Sequence, residues 1–121
     1  MEKINLNEKL KLFDDLWSPK IVGELNNQYV KLVRFKGEYV WHAHENEDEL
    51  FLVIDGEMNL HLRDKTVILK PCEFIIVPRG VEHKPEAADF CSVLLFEPAT
   101  TRNTGDVDHE YTIEPDDLQK I

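Results

Sequence analysis

The sequence predicts an all-β fold, an antiparallel sandwich or barrel preceded by one short helix. Short runs rich in β-branched and aromatic residues recur from Lys20 onward, each bounded by a turn signal. Roughly eight such strands at regular spacing are the pattern of a closed or doubled antiparallel sheet. Helical periodicity is confined to the N-terminus, where Leu6, Leu10, Phe13 and Trp17 recur before Ser18-Pro19 stops the run.

In chain order, Asn5 is placed as the N-cap of a helix over 6–17, with Glu8 as its reciprocal partner. Strands follow over 21–25, 29–35, 39–42, 50–54, 58–63, 66–69, 74–77 and 90–96. The turn signals between them are Asn26-Asn27, Lys36-Gly37, Asp55-Gly56, Arg63-Asp64, Lys70-Pro71 and Arg79-Gly80. Asp55-Gly56 between apolar strands predicts a hairpin. Beyond it Met58, Leu60 and Leu62 face inward while His61 takes the wetter side. The run Leu50 to Ile54 is apolar on both faces, so a second layer should cover it, either the N-terminal helix or another subunit. After Phe96 periodicity is lost, and 97–121 reads as a loop or extended arm in which His109 is solvated. No internal repeat divides the chain, so residues 1–121 are read as one domain with its barrel over 20–96.

Composition narrows the function classes. At 121 residues the chain can bury a core without disulfides or a metal. Its 24 acidic against 14 basic residues leave a net charge of −10, which repels phosphate backbones and anionic head groups, so nucleic acid and membrane surfaces are not expected partners. The N-terminal MEKINLNEKLKLF lacks the continuous apolar stretch of a signal peptide, and a cytoplasmic location is expected. Cys72 and Cys91, in or beside strand-like segments, are read as buried free thiols rather than a disulfide.

The segment WHAHENEDELF carries the chemistry. On a strand, residues i and i+2 share a side, so His42 and His44 project together, and Glu49 at the start of the next strand can bring a carboxylate to the same point. Two imidazoles and a carboxylate on adjacent strands form a mononuclear metal site. By itself His-x-His describes two half-exposed histidines at a strand end equally well. The second segment, VPRGVEH, adds His83 from a separate strand after the turn Pro78-Arg79-Gly80.

Together these segments resemble the two motifs of the cupin superfamily. Gly37, His42, His44, Glu49 and Gly56 match the first, and Pro78, Gly80 and His83 match the second. Gly37 lies one residue closer to His42 than usual, Cys72 stands where the second motif begins with glycine, and Ala87 replaces an asparagine. The cysteine suggests a turn without positive φ. The resemblance implies a cupin-type antiparallel β-barrel (double-stranded β-helix or jelly roll) in which His42, His44, Glu49 and His83 hold one divalent metal: iron, manganese, nickel, copper or zinc. It also implies a homodimer.

Three function classes stay open. One is a metal-dependent enzyme acting on a small molecule, either a dioxygenase or an isomerase similar to the barrel of mannose-6-phosphate isomerases. The others are a ligand-binding or sensing module and a structural barrel with a vestigial site. No Lys or Arg cluster surrounds the motifs to hold a sugar phosphate. Phe51, Val53 and Met58 read as core or pocket walls, Arg79 as an exposed turn residue, and no general acid or base is evident.

Overall fold

The computed structural model describes residues 1–121. A short helix, α1 (Leu6–Leu10), precedes β1 (Lys20–Leu25), β2 (Gln28–Glu38), β3 (Glu49–Asp55), β4 (Met58–Leu62), β5 (Thr66–Leu69), β6 (Phe74–Val77) and β7 (His83–Pro98). A 3-10 turn over Pro115–Asp117 and a two-residue strand, β8 (Gln119–Lys120), end the chain. The strands form the kind of β-barrel that the resemblance implies. Along its sheet the order is β5-β4-β7-β2-β1-β8, with β3 joined to both β7 and β6.

Strand β7 organises the barrel. One of its edges pairs with β2 from Gln28↔Pro98 to Glu38↔Glu86. Its other edge is shared, with β4 taking His83 to Glu86 and β3 taking Ser92 to Phe96. Between these halves the inward alternation of His83, Pro85 and Ala87 breaks over three exposed residues before resuming at Cys91, Val93, Leu95 and Glu97. The matching irregularity in β2 falls between Phe35 and Gly37, where Gly37 has φ +80, a conformation that side chains with a β-carbon disfavour.

Asp55-Gly56 is not a hairpin, because β3 and β4 pair with β7 and not with each other. They lie one after the other along the same edge of β7. Gly56 has φ +82, and a β-carbon there would collide with the carbonyl of Phe90, in the outward break of β7. The dipeptide turns a corner between the two halves of the barrel. The true hairpins are β1–β2, closed by Asn26 and Asn27 with φ 49 and 62, and β4–β5.

The N-terminal helix is also shorter than its periodicity predicts. Asn5 caps it, accepting from the Glu8 amide at 3.0 Å. The apolar residues then serve two different cores. Leu10 packs with Val22 and Leu32 on the outer face of the sheet, joined by Leu6, Phe13 and Ile54. Trp17, at φ 58, turns into the barrel interior beside Val33, Phe35 and Phe51, where its indole Nε1 donates to the Lys36 carbonyl at 3.1 Å. One straight helix cannot serve both sides of a sheet. The N-terminal segment still supplies part of the cover expected for Leu50 to Ile54.

The separate strand expected over 39–42 is absent. Only His42 bridges there, to His83. The arm is not solvated coil either: β8 pairs parallel with β1, and His109 is half-buried, its Nδ1 accepting from the Tyr111 amide. Neither cysteine is disulfide-bonded, but Cys72 is exposed while Cys91 is buried.

Cys72 also reverses the expectation for its turn, since its φ is 68. Glu73 N closes the turn onto the Lys70 carbonyl at 3.0 Å, with Pro71 and Cys72 at its centre. A β-carbon costs about 1–2 kcal/mol in that conformation, and glycine returns part of this as unfolded-state freedom. Cys72→Gly is therefore expected to stabilise the protein by about 0.5–1 kcal/mol in urea unfolding; unchanged or reduced stability would contradict the strain.

Candidate metal centre

Four side chains converge from three stretches of chain. His42 and His44 follow β2, Glu49 opens β3 and His83 opens β7. Backbone bonds hold these stretches together: His42 N donates to His83 O at 3.1 Å, His83 N to His42 O at 2.9 Å, and Gly80 N to His44 O at 2.8 Å. All four residues are buried, and one potential ligand atom from each lies within 4.8 Å of the others. The spacing read from the sequence brings together the set it predicted.

The ring orientations follow from hydrogen bonding. Nδ1 of His42 donates to the Val40 carbonyl and Nδ1 of His83 to the Val81 carbonyl, each at 2.9 Å. A carbonyl only accepts, so the proton sits on Nδ1 and Nε2 turns toward the centre. Nε2 of His83 lies 3.2 Å from Glu49 Oε1, and Nε2 of His44 lies 3.4 Å from the same oxygen. Both ring nitrogens of His44 are buried without a hydrogen-bond partner.

Two further charged residues lie beneath this group. Lys31 on β2 and Glu97 on β7 are 0% and 2% exposed, and Lys31 Nζ donates to Glu97 Oε1 at 2.8 Å. Burial and the adjacent Glu49 charge push the Glu97 carboxyl well above the ordinary range. Burial pulls Glu49 the same way, but its contacts with Glu97, His44 and His83 together hold it well below. Neither Lys31 nor Glu97 was singled out from sequence. Lys31 alternates inward with Val33 and Phe35, and Glu97 lies two residues beyond Leu95, so extending the strand pattern past Phe96 would have found it.

A cavity of about 20 Å³ opens beside the cluster, enough for one or two waters. His42, Glu49 and Asn103 give it polar walls; Trp17, Phe35, Tyr39, Phe51 and Leu95 are among its apolar ones. No lysine or arginine lines it. Tyr39 stacks on Trp17 at 4.7 Å and on Tyr111 at 5.9 Å, edge-on to His42 at 5.5 Å. Burial and then the Glu49 charge raise the Tyr39 phenol above its ordinary range. As expected, Phe51, Val53 and Met58 belong to the core, and Phe51 also faces the cavity. Arg79 is exposed and paired with Asp48 at 3.3 Å.

The C-terminal arm supplies one wall. Asp106 accepts from Ala43 N through Oδ1 at 3.0 Å and donates from its own amide to Ala43 O at 3.1 Å, clamping the residue between His42 and His44. Gly105 passes so close that a β-carbon would run into the Ala43 carbonyl. Arg102 ties the arm to itself, donating to the carbonyls of Gly105 and Val107 and pairing with Asp108 and Glu114.

Burial, with a smaller effect of the His83 charge, lowers His42 from 6.5 to about 4. The unfolded chain therefore takes up a proton near 6.5 that the folded one refuses until about 4. Stability present above 6.5 is lost as pH falls, by up to about 3 kcal/mol from this group. Glu49, held low, acts in the same sense; His83 is raised, through its Glu49 contact against opposing burial, and partly offsets both. Metal-free protein should lose urea resistance between pH 7 and 4.5, with a shallower slope in His42→Gln; equal slopes would contradict the buried neutral imidazole.

The comparisons agree with this architecture. A family model described as the cupin domain matches residues 32–95. The curated protein YdbB of Bacillus subtilis, itself uncharacterized, is 41% identical over 64 residues, which is 52% of this chain and 57% of YdbB. The match thus spans little more than half of that relative. A crystal structure of a cupin-2 domain containing protein from Shewanella frigidimarina is 42% identical, with a TM-score of 0.78 over 78% of this chain and 93% of that one. NMB1881 from Neisseria meningitidis is 30% identical, with a TM-score of 0.74 over 80% of this chain and 99% of that one. A barrel built around the His-His-Glu-His group, matched by that model over more than half its length, belongs to the cupin family.

Proposed function

We propose that His42, His44, Glu49 and His83 are the ligands of one divalent transition metal, and that the protein binds or transforms a small molecule beside it. The observation that carries this reading is His44. An unpartnered buried polar group costs about 1–3 kcal/mol, and His44 places two such nitrogens among three other potential ligands. A cation accepting a lone pair from Nε2 removes part of that cost. The donor set, three imidazoles and a carboxylate, suits iron, manganese, nickel, copper or zinc. When bound, the ion supplies a Lewis acid with coordination positions open to a ligand from the cavity.

The protein's own residues define what enters. His42 and Glu49 line both the cluster and the cavity, so a molecule there meets the centre directly. The aromatic walls favour an apolar body, and the absence of a lining cation disfavours a sugar phosphate. An uncharged ligand that places only a small group in the cavity itself is therefore the favoured class, for turnover of the dioxygenase kind or for sensing without turnover. Oxygen consumption with thiols, diketones and catechols separates these two.

The free thiols suit a reducing compartment such as the cytoplasm. A homodimer is supported by the outer face of β3 and β6, where Leu50 pairs with Ile76 and Leu52 with Phe74. Phe74 and Ile76 are 61% and 54% exposed, on a strand whose other edge is unpaired. Two copies of net charge −10 can meet at such an uncharged patch with the least repulsion.

Protein purified without chelator or nickel resin should contain close to one metal ion per chain by elemental analysis. His44→Ala should lose the ion while keeping its circular dichroism. No metal in the wild type, and no uptake of iron, manganese, nickel or zinc, would end this reading. Light scattering should give about twice the 14.1 kDa chain mass. Phe74→Glu with Ile76→Lys should bring it to the chain mass; a wild-type monomer at micromolar concentration would remove the dimer.

A further inference from the structure

The structure assigns Lys31 and Glu97 as a buried positioning pair that fixes the Glu49 carboxylate toward the metal and so sets how tightly the centre binds it. This rests on the metal reading above. Neither residue belongs to the group of four, and neither lines the cavity, so any effect on a ligand must act through another side chain. That side chain is Glu49, which the pairing of β3 with β7 sets across from Glu97 while Lys31 holds Glu97 Oε1 at 2.8 Å.

The strands make this chain rigid. Leu50 pairs with Phe96, which sets Glu49 beside Glu97, and Tyr29 pairs with Glu97 while Lys31 pairs with Leu95, which sets the lysine beneath it. Each member is an inward position of a different strand, nearly or fully enclosed. Enclosing a lysine and a glutamate gains little stability, because replacing such a pair with hydrocarbon is often neutral or favourable. The pair has a use only in what it does to Glu49. Fixing one carboxylate oxygen leaves the other lone pairs aimed at the histidines, and partners of this kind typically change metal affinity about 10–100-fold when removed.

Cobalt(II) added to the metal-free full-length chain is the probe, read by its dissociation constant and visible absorption spectrum. The double variant Lys31→Met with Glu97→Leu removes both charges together. It is expected to fold with a melting temperature at or above the wild type, to bind cobalt about 10–100-fold more weakly and to shift the spectrum. Lys31→Met alone should weaken binding in the same direction. Glu97→Gln, whose amide can donate to Glu49 and accept from Lys31, should retain wild-type affinity and spectrum. Wild-type cobalt affinity in either folded charge-removing variant, or weak binding by Glu97→Gln, overturns the positioning role alone. Wild-type protein that takes up neither cobalt nor iron, manganese, nickel or zinc overturns the metal centre and this pair with it.

Discussion

Six polar side chains are buried at one end of a barrel whose remaining interior is hydrocarbon, and the need to partner each of them governs the rest of the structure. Lys31, His42, His44, Glu49, His83 and Glu97 are all buried, while Val33, Val53, Met58, Leu60 and Val93 close the interior beyond them. Backbone carbonyls take one nitrogen each of His42 and His83, the lysine takes Glu97, and Glu97 meets Glu49. Both nitrogens of His44 and Oε2 of Glu97 are left without a partner. In a medium where such groups cannot borrow water, the imbalance at His44 is what a cation at this centre would relieve.

Strand β7 makes that arrangement possible. His83 at its first position and Glu97 near its last both face inward, and they reach one cluster because the strand bends outward over 88–90 between its two halves. The corner at Gly56 and the bulge at Gly37 accommodate the same bend in the neighbouring strands. A straight strand of that length would hold its ends far apart. The glycines that the motif resemblance picks out therefore serve the curvature of the barrel, and through it the convergence of the ligands.

Much of this was legible before the coordinates, and the failures share one cause. Local alternation placed most strands, and the i, i+2 rule with a third histidine after Pro78-Arg79-Gly80 picked out the four side chains that converge. What local patterns could not show is which strand pairs with which. Asp55-Gly56 looks the same whether the chain folds back or turns a corner. Leu10 and Trp17 lie on one helical stripe yet pack on opposite sides of the sheet. Cys72 occupies a left-handed turn for which the sequence alone would choose glycine. Lys31 and Glu97 look like ordinary charged strand residues until the register sets them side by side and encloses them.

The arm shows the same limit from the other side. Residues 97–121 have no periodicity, because their order comes from the arginine at 102 and from the barrel rather than from a repeating apolar face. They lie beyond the 32–95 match to the family. Yet Asp106 takes both backbone groups of Ala43, and Asn103 closes the cavity from outside. His42, His44, Glu49 and His83 thus lie within the family match, whereas the space in front of them is shaped in part by a segment outside it. That segment reaches the cavity through Asn103 and through the contacts of the Tyr111 ring with Trp17 and Tyr39. A small cavity walled by rings, with no lysine or arginine in its lining, would leave the charge of a phosphate buried without a partner, so its walls oppose that charge while accepting an apolar surface.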